Sequence, residues 1–236
     1  YVLPRPKEDT DRAIRRNAQD ILREFVMTFV SFFAKKQIII AVLFLLLFRL
    51  PEALLTPVSQ LFLQALPSKG GLGLSPQEFG LVNGTVGVIG FLVGGVIGGM
   101  LISRDGLKKW LWPMTLAITI PNLTYVYLAY VMPENLMLIN VCVAIENLGY
   151  GFGFSAYMLF MIYFSQGEHK TSHYALCTGL MALSMMLPGL FAGALAQTAG
   201  YRLFFIIVMI SCLLPFGVAS FLKIDANFGK KEREEE

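Results

Sequence analysis

The chain has 236 residues, of which 56% are hydrophobic and 15% are charged, and its net charge is +3. Soluble domains carry roughly 25% charged residues and roughly 45–50% apolar ones. A mean hydropathy of +0.63 with so little charge is too apolar for a large soluble core, so the composition excludes a soluble globular domain. The charges are also uneven, because residues 1–36 and 223–236 hold most of them.

Residues 1–36 are predicted to form a cytoplasmic linker that ends in an amphipathic helix. Apolar side chains recur at helical spacing between residues 18 and 34, opposite polar ones. Such a helix could lie in the membrane interface or pack on other protein. The first residue is Tyr1 rather than Met, which predicts that the chain is a fragment of a longer protein.

Residues 37–222 contain long apolar runs. A run of about 20 residues can cross a hydrocarbon core of about 30 Å as a helix. The sequence therefore predicts an all-α membrane protein with six transmembrane helices, followed by a charged cytoplasmic tail at 223–236. The predicted spans are 37–62, 79–102, 110–132, 136–164, 174–198 and 201–222.

The links between these spans predict local structure. Pro51 and Pro57 predict a bend in the long first span. Ser75, three residues before Glu78, predicts a capping box at the start of the second. Only Ala199 and Gly200 separate the last two spans, which predicts a tight antiparallel hairpin.

Positive charge predicts the orientation. Arg49 lies within a span, and Lys69 and Arg202 lie in loops on one side. All other Lys and Arg residues fall on the opposite side, in the two terminal segments and in the loops at 103–109 and 165–173. Both termini are therefore predicted to be cytoplasmic.

Glycines recur along one face of the second span, between residues 80 and 99. Small residues let helix backbones approach closely in lipid, so this face is predicted to pack against a neighbouring helix. The glycines at 149–153 are predicted instead to loosen or kink the fourth span. The three cysteines, Cys142, Cys177 and Cys212, lie in apolar runs without metal-like spacing and are interpreted as packing residues.

Three ionisable residues lie at membrane depth: Arg49, Glu52 and Glu146. Such residues are costly in a bilayer and indicate a functional site. Their neighbours at three- and four-residue steps form two polar stripes, which are predicted to share a water-filled cavity. The candidate pathway residues for substrate and proton are Arg49, Glu52, Thr56, Gln60, Glu146, Asn147, Tyr150 and Tyr157.

Two interpretations of these charges stay open. Arg49 and Glu52 could pair with each other and simply lock the bundle. Glu146 has no partner on its own helix, and it is therefore the candidate proton-coupling site. A proton as coupling ion is the only cofactor that the sequence predicts, and no metal site is expected.

His169 and His173 lie four residues apart near the loop between the fourth and fifth spans. They leave open a second class, a membrane-embedded transferase that uses one of them as a base. A non-transporting membrane subunit is a third possibility. The chain has no motif of a known enzyme class and no basic-aromatic pattern for nucleic acid, so it is predicted not to be an enzyme.

The loop at 99–109, G-M-L-I-S-R-D-G-L-K-K, resembles the G-x-x-x-D-R-x-G-R-K loop of the major facilitator superfamily. Gly99, Arg104, Gly106 and Lys108 match this gating loop, whereas Ser103 and Leu107 replace its acidic residue and its second Arg. The segments F-R-L-P-E-A-L at 48–54, F-G-L-V-N-G-T-V-G at 79–87, E-N-L-G-Y-G-F-G at 146–153 and H-Y-A-L at 173–176 follow in order. Together they resemble the C-terminal half of the AmpG-type muropeptide permeases.

This resemblance implies a proton-driven importer of muropeptides from peptidoglycan turnover, in the bacterial inner membrane. The family's basic-then-acidic pair in the first span falls on Arg49 and Glu52, where family members carry Lys and Asp. Such permeases have two six-helix halves with the substrate site between them. The resemblance therefore implies three partners: a small glycan-type solute, the missing N-terminal six-helix half, and the lipid bilayer.

Overall fold

The computed structural model describes residues 18–230, and all regular structure within them is helical. The chain divides into two compact units between Ile38 and Ile39. Ten α-helices follow one another in the described residues: α1 (Ala18–Phe33), α2 (Ile38–Leu47), α3 (Leu50–Gln64), α4 (Pro76–Phe79), α5 (Val88–Asp105), α6 (Leu107–Thr119), α7 (Leu123–Val131), α8 (Leu136–Ser165), α9 (Lys170–Ser211) and α10 (Leu213–Ser220).

The first unit contains α1, which forms where the apolar periodicity predicted a helix. Its location in a membrane interface stays a prediction. The predicted linker at 1–17 and the end of the predicted tail, at 231–236, lie outside the described residues.

The first apolar segment of the second unit is broken into α2 and α3. The break falls at Phe48 and Arg49, and Pro51 follows in the first turn of α3. Proline has no N–H to donate and is tolerated in a first turn, where such groups lack a partner within the helix. Pro57 lies inside α3, so the segment breaks before Pro51 and continues as helix through Pro57.

The start of the second segment is capped as predicted. Ser75 Oγ accepts a hydrogen bond from the Glu78 N–H at 3.3 Å, and the Glu78 carboxylate accepts one from the Ser75 N–H at 2.9 Å. After α4, the residues Gly80–Gly87 form a π-helix that leads into α5. Segments of this rare type occur often at functional sites.

Close backbone contacts join α5 to α8. A Cβ atom on Gly94 would lie 2.1 Å from the Leu148 carbonyl oxygen, and one on Gly151 would lie 2.0 Å from the Phe91 carbonyl oxygen. Both distances are far below contact distance, so only glycine fits these positions. The predicted packing role of the glycine face is therefore seen in α5.

The glycines of α8 act in the same way, and α8 is helical throughout its 30 residues. A Cβ atom on Gly149 would lie 2.1 Å from the Ala117 carbonyl oxygen, and one on Gly153 would lie 2.7 Å from that of Met114. These glycines, predicted to loosen or kink the helix, do not break it, and they are the points where neighbouring backbones approach it.

Five apolar helical segments within residues 18–230 are long enough to cross a membrane: Ile38–Gln64, Pro76–Asp105, Leu107–Val131, Leu136–Ser165 and Lys170–Ser220. The last has 51 residues, more than twice the length that crosses a hydrocarbon core of about 30 Å. Gly200, inside it, has φ 74° and ψ 157°, a conformation that is open essentially to glycine alone. The predicted spans 174–198 and 201–222 both fall in this single segment, which is why five segments correspond to six predicted spans.

The chain reverses direction at this glycine. A Cβ atom on Gly189 would lie 3.7 Å from the carbonyl oxygen of Ala53. Cys212, on the other side of the glycine, lies 3.7 Å from Asn122, whose amide also contacts Glu52. Residues 189 and 212 therefore lie at the same level of α3, as a hairpin requires, although six membrane crossings stay a prediction.

The described residues after α10, within the predicted charged tail, pack against the preceding helices. The Leu107 N–H donates to the carbonyl oxygen of Phe228 at 3.0 Å, and the rings of Phe228 and Tyr163 lie 4.8 Å apart. Ile224 is buried. Residues 224–230, here called the clasp, thus contact both the α5–α6 loop and the end of α8.

Candidate functional site

A half-open cavity of about 250 Å³ with several polar residues in its lining, here called the polar cavity, lies between α3, the π-helix and start of α5, α7 and α8. Its polar lining includes hydroxyls, amides and one carboxylate, which is unusual at the level of apolar spans. The lining residues are Leu55, Thr56, Ser59, Gln60, Asn83, Val88, Phe91, Tyr125, Glu146, Asn147 and Tyr150.

Glu146 is the acidic group of this cavity. It lies on α8, is 6% exposed, and accepts a hydrogen bond from the side-chain amide of Asn147 at 2.7 Å. The same amide donates to the Val143 carbonyl oxygen at 3.0 Å. Glu146 therefore contacts the cavity while its carboxylate is held by a neutral donor.

Glu52 is placed differently, because it is 1% exposed and does not line the cavity. Its carboxylate accepts a hydrogen bond from Asn122 Nδ2 at 3.1 Å. Asn122 follows Pro121 in a short 3₁₀ turn, Ile120–Asn122, which separates α6 from α7. This turn places the amide beside α3.

Arg49 is surrounded by aromatic side chains. Its Nη2 donates to the Tyr150 hydroxyl, and its guanidinium lies 4.7 Å from the ring centre of Phe154, 5.6 Å from that of Tyr150 and 5.7 Å from that of Tyr157. No ion pair within 4.0 Å joins Arg49 to Glu52 in the described part of the chain. The two charges still interact at longer range, so the interpretation in which they help to lock the bundle stays a prediction.

Tyr157 also lies away from the cavity lining. Its hydroxyl donates to the Leu45 carbonyl oxygen at 2.7 Å, and its ring stacks on Phe48 and Phe154 at 5.9 and 6.1 Å. Leu45 is in the last turn of α2, where carbonyl groups lack partners within the helix. Tyr157 thus provides a hydrogen-bond donor for a carbonyl group in the last turn of α2.

The structure therefore brings together five of the eight predicted pathway residues, and the other three surround them. Thr56, Gln60, Glu146, Asn147 and Tyr150 line the cavity. Arg49 is joined to it through Tyr150, whereas Glu52 and Tyr157 are buried behind it.

The predicted gating loop forms a tight turn between α5 and α6. Gly106 has φ 90°, and a Cβ atom on it would lie 3.0 Å from the Ala226 carbonyl oxygen of the clasp. Asp105 accepts from Lys109 at 3.2 Å and from the Trp110 indole at 3.1 Å, and its other oxygen lies 3.9 Å from Arg104 Nε. The acidic partner is thus two residues later than in the family motif, and a Cβ atom on Gly99 would meet no atom within 4 Å.

The two histidines lie side by side at the start of α9. The rings of His169 and His173 are 6.0 Å apart, and no group of three or more His, Cys, Asp or Glu residues within 18–230 could hold a metal ion. Cys142, Cys177 and Cys212 are buried and are not joined in disulfides, as their positions in apolar runs predicted.

Sequence reasoning missed four residues of the site region: Asn83, Asn122, Tyr125 and Phe154. Asn83 and Asn122 are lone amides in apolar spans, so a search for neutral polar residues at membrane depth would have found them. Tyr125 and Phe154 give no such signal, because an aromatic residue in a span is ordinary.

The chain is similar to AmpG-type transport proteins, as its motifs predicted. It is 26% identical over 175 residues, or 73% of its length, to a protein of Rickettsia prowazekii named as AmpG-type transporter 1. It is 26% identical over 176 residues, or 75% of its length, to the anhydromuropeptide permease of Escherichia coli. An AmpG-type transporter of Rickettsia conorii is 24% identical over 199 residues, or 84% of the chain. No protein-family model matches the chain.

The chain spans less than half the length of these relatives. The matches cover 38%, 35% and 46% of the three proteins, respectively. Their names are those of transporters and permeases, so the chain is similar to transport proteins, as predicted. With its apolar helices, the chain is a multi-pass all-α membrane protein.

Proposed function

We propose that the chain is one half of a secondary transporter that imports muropeptides or related glycan fragments together with protons. The observation that carries this proposal is the polar cavity with Glu146 in its wall, inside helices that are otherwise apolar. Hydroxyls and amides provide the hydrogen bonds that a sugar-containing solute requires, and the carboxylate provides a group that can bind and release a proton.

The mechanism proposed is alternating access. The half described by this chain rocks against a second six-helix half of the major facilitator type, which completes the solute site from the other side. The lengths of the relatives support a second half of this kind. The close α5–α8 contacts favour movement of this half as a unit, because backbones in such contact cannot slide without steric clash.

The proposed location is the bacterial inner membrane, with both termini of the chain in the cytoplasm. The distribution of Lys and Arg supports this orientation. The α5–α6 loop and the clasp would then lie on the cytoplasmic side. The transferase alternative, based on His169 and His173, is not favoured, because the relatives are named as transport proteins.

The test is uptake of labelled anhydromuropeptide by vesicles that contain the full-length protein of which this chain is part. We expect accumulation that a protonophore abolishes. Glu146→Gln should reduce proton-driven uptake to the level of vesicles without the protein, because the amide cannot exchange a proton. Glu134→Gln, an exposed loop residue, is the matched control and should leave uptake unchanged. Undiminished proton-driven uptake by the Glu146→Gln protein would contradict the proposed coupling site.

A further inference from the structure

Arg49 is a buried cation that makes no direct ion pair with a described carboxylate, although it is near enough to Glu52 for the two charges to interact. It is 7% exposed, and none of the ion pairs within residues 18–230 includes it. A guanidinium removed from water is strongly destabilised unless an anion or several acceptors replace the water. The side chains around Arg49 replace part of this hydration and leave one of its N–H donors without an acceptor.

The two buried carboxylates of the bundle are engaged by other groups. Glu52 accepts from Asn122, and Glu146 accepts from Asn147. Aromatic faces offset part of the cost for Arg49, and the nearest is that of Phe154 at 4.7 Å. A cation–π contact replaces only a fraction of the hydration of a buried charge and accepts no N–H in the guanidinium plane.

The hydrogen-bond donors of Arg49 are incompletely used. The Nε–H is buried and has no acceptor, whereas Nη2 donates to the hydroxyl of Tyr150. Tyr150 itself lines the polar cavity. The Tyr150 hydroxyl thus lies between the cavity and the Arg49 guanidinium. A charged acceptor would bind this guanidinium more strongly than the neutral hydroxyl does.

A carboxylate matches these donors. Its two oxygens accept the two parallel N–H groups that an arginine presents through Nε and one Nη, and such charge-assisted pairs are about twice as strong as neutral hydrogen bonds. A hydroxyl or an amide oxygen of a solute would satisfy only one donor and would not neutralise the charge.

We propose that Arg49 is the carboxylate-binding subsite of the solute cavity, reached when the Tyr150 side chain turns aside and gives its place on Nη2 to the solute. This inference rests on the proposed function and adds the chemical group by which the solute is recognised. The aromatic rings of Phe154 and Tyr157 hold the guanidinium in place. The amides of Gln60 and Asn147 and the hydroxyl of Thr56 remain for the uncharged part of the solute.

Binding to the purified full-length protein tests this subsite. The probes are an anhydromuropeptide with free peptide carboxylates and the same compound with those carboxylates converted into primary amides. We expect the wild-type protein to bind the carboxylate form about ten- to hundredfold more tightly, since hydrogen bonds to charged groups contribute that much. Arg49→Gln should remove this preference by weakening binding of the carboxylate form alone.

Arg202→Gln is the matched control. Arg202 also lies over a tyrosine ring, at 5.4 Å from the Tyr130 centre, and donates to the Ala129 carbonyl oxygen at 3.1 Å, but it does not line the cavity. Its substitution should leave the preference intact. The wild-type comparison needs no variant to fold, so it decides by itself if the Arg49→Gln protein is unstable.

Equal binding of the two probes by the wild-type protein would overturn the subsite, as would an Arg49→Gln protein that still prefers the carboxylate form. Neither result bears on transport. Conversely, a protein that prefers the carboxylate form but takes up neither probe in vesicles would overturn the proposed function and leave the subsite standing.

Discussion

At the scale of single residues, each buried charge is held by a neutral side chain. Glu52 contacts an amide, Glu146 contacts another amide, and Arg49 contacts a phenol. A neutral partner stabilises a charge less than an opposite charge does, but it also costs less to release. The three charges can therefore change partners or protonation state without the separation of a buried ion pair.

Asn122→Ala is predicted to destabilise the protein by about 1–3 kcal/mol, because it leaves a fully buried carboxylate without its donor. Thermal unfolding in detergent would measure the loss. Asn140→Ala is the control, since the Asn140 amide donates only to the Leu136 carbonyl oxygen of its own helix, at 2.9 Å. Equal effects of the two substitutions would mean that Asn122 does not hold Glu52.

The individual site residues differ in how far the sequence predicted them. The capping of Ser75 by Glu78 and the break before Pro51 were predictable, because both depend on residues close in sequence. The partner of Glu52 is 70 residues away and that of Arg49 is 101 residues away. Periodicity places a residue on a helix face but does not identify the group on the next helix.

At the scale of elements, the contact between α5 and α8 holds two walls of the cavity together. Asn83 precedes α5, Glu146 and Tyr150 belong to α8, and all three line the cavity. Ser155 Oγ also donates to the Gly95 carbonyl oxygen at 3.0 Å, so side-chain bonding adds to the backbone contacts. Such an interface depends on the absence of side chains at its closest points.

Gly94→Ala is predicted to destabilise the protein by about 1–3 kcal/mol, the usual cost of an overpacked core. The new methyl group would overlap the Leu148 carbonyl oxygen. Gly99→Ala in the same helix meets no atom within 4 Å and should be neutral or stabilising by up to about 1 kcal/mol, because alanine favours helix. Thermal unfolding of both variants checks this, and similar melting temperatures would contradict the close contact.

The glycine face shows what a composition pattern can establish. Six glycines at three- and four-residue steps predict close packing in the second span. The structure shows it at Gly87, Gly90, Gly94 and Gly98, whereas a Cβ atom on Gly80 or Gly84 would meet no atom within 4 Å. The glycines at 149–153 are predicted to loosen or kink α8, but in the structure they also allow neighbouring backbones to approach closely. A glycine in a span permits both outcomes, and the neighbouring helix decides which one occurs.

At the scale of the whole molecule, the clasp joins the last residues of the described chain to its middle. A carbonyl of the clasp accepts from the Leu107 N–H at the start of α6, and a Cβ atom on Gly229 would lie 3.0 Å from Ile102 Cγ2 in α5. The sequence predicted a charged tail here, because hydropathy reports the abundance of charge and not the single apolar side chains that anchor a turn.

Truncation after Lys223 is predicted to raise the hydrogen-exchange rate of the Leu107 amide by about fivefold, since a hydrogen bond contributes a net ~1 kcal/mol. Mass spectrometry of peptides from the α5–α6 loop would measure it. Truncation after Lys230 retains the clasp and is the control. An unchanged exchange rate in the shorter protein would show that the clasp does not protect the loop.

The bond between Tyr157 and Leu45 bears on how the protein is made. The ribosome adds Tyr157 112 residues after Leu45, which takes roughly 6–22 s at about 5–20 residues per second. During that time the last turn of α2 has no phenol to bind its carbonyl, and such groups are costly in hydrocarbon. Until the fourth span has been synthesised, this carbonyl group therefore needs a hydrogen-bond donor other than Tyr157.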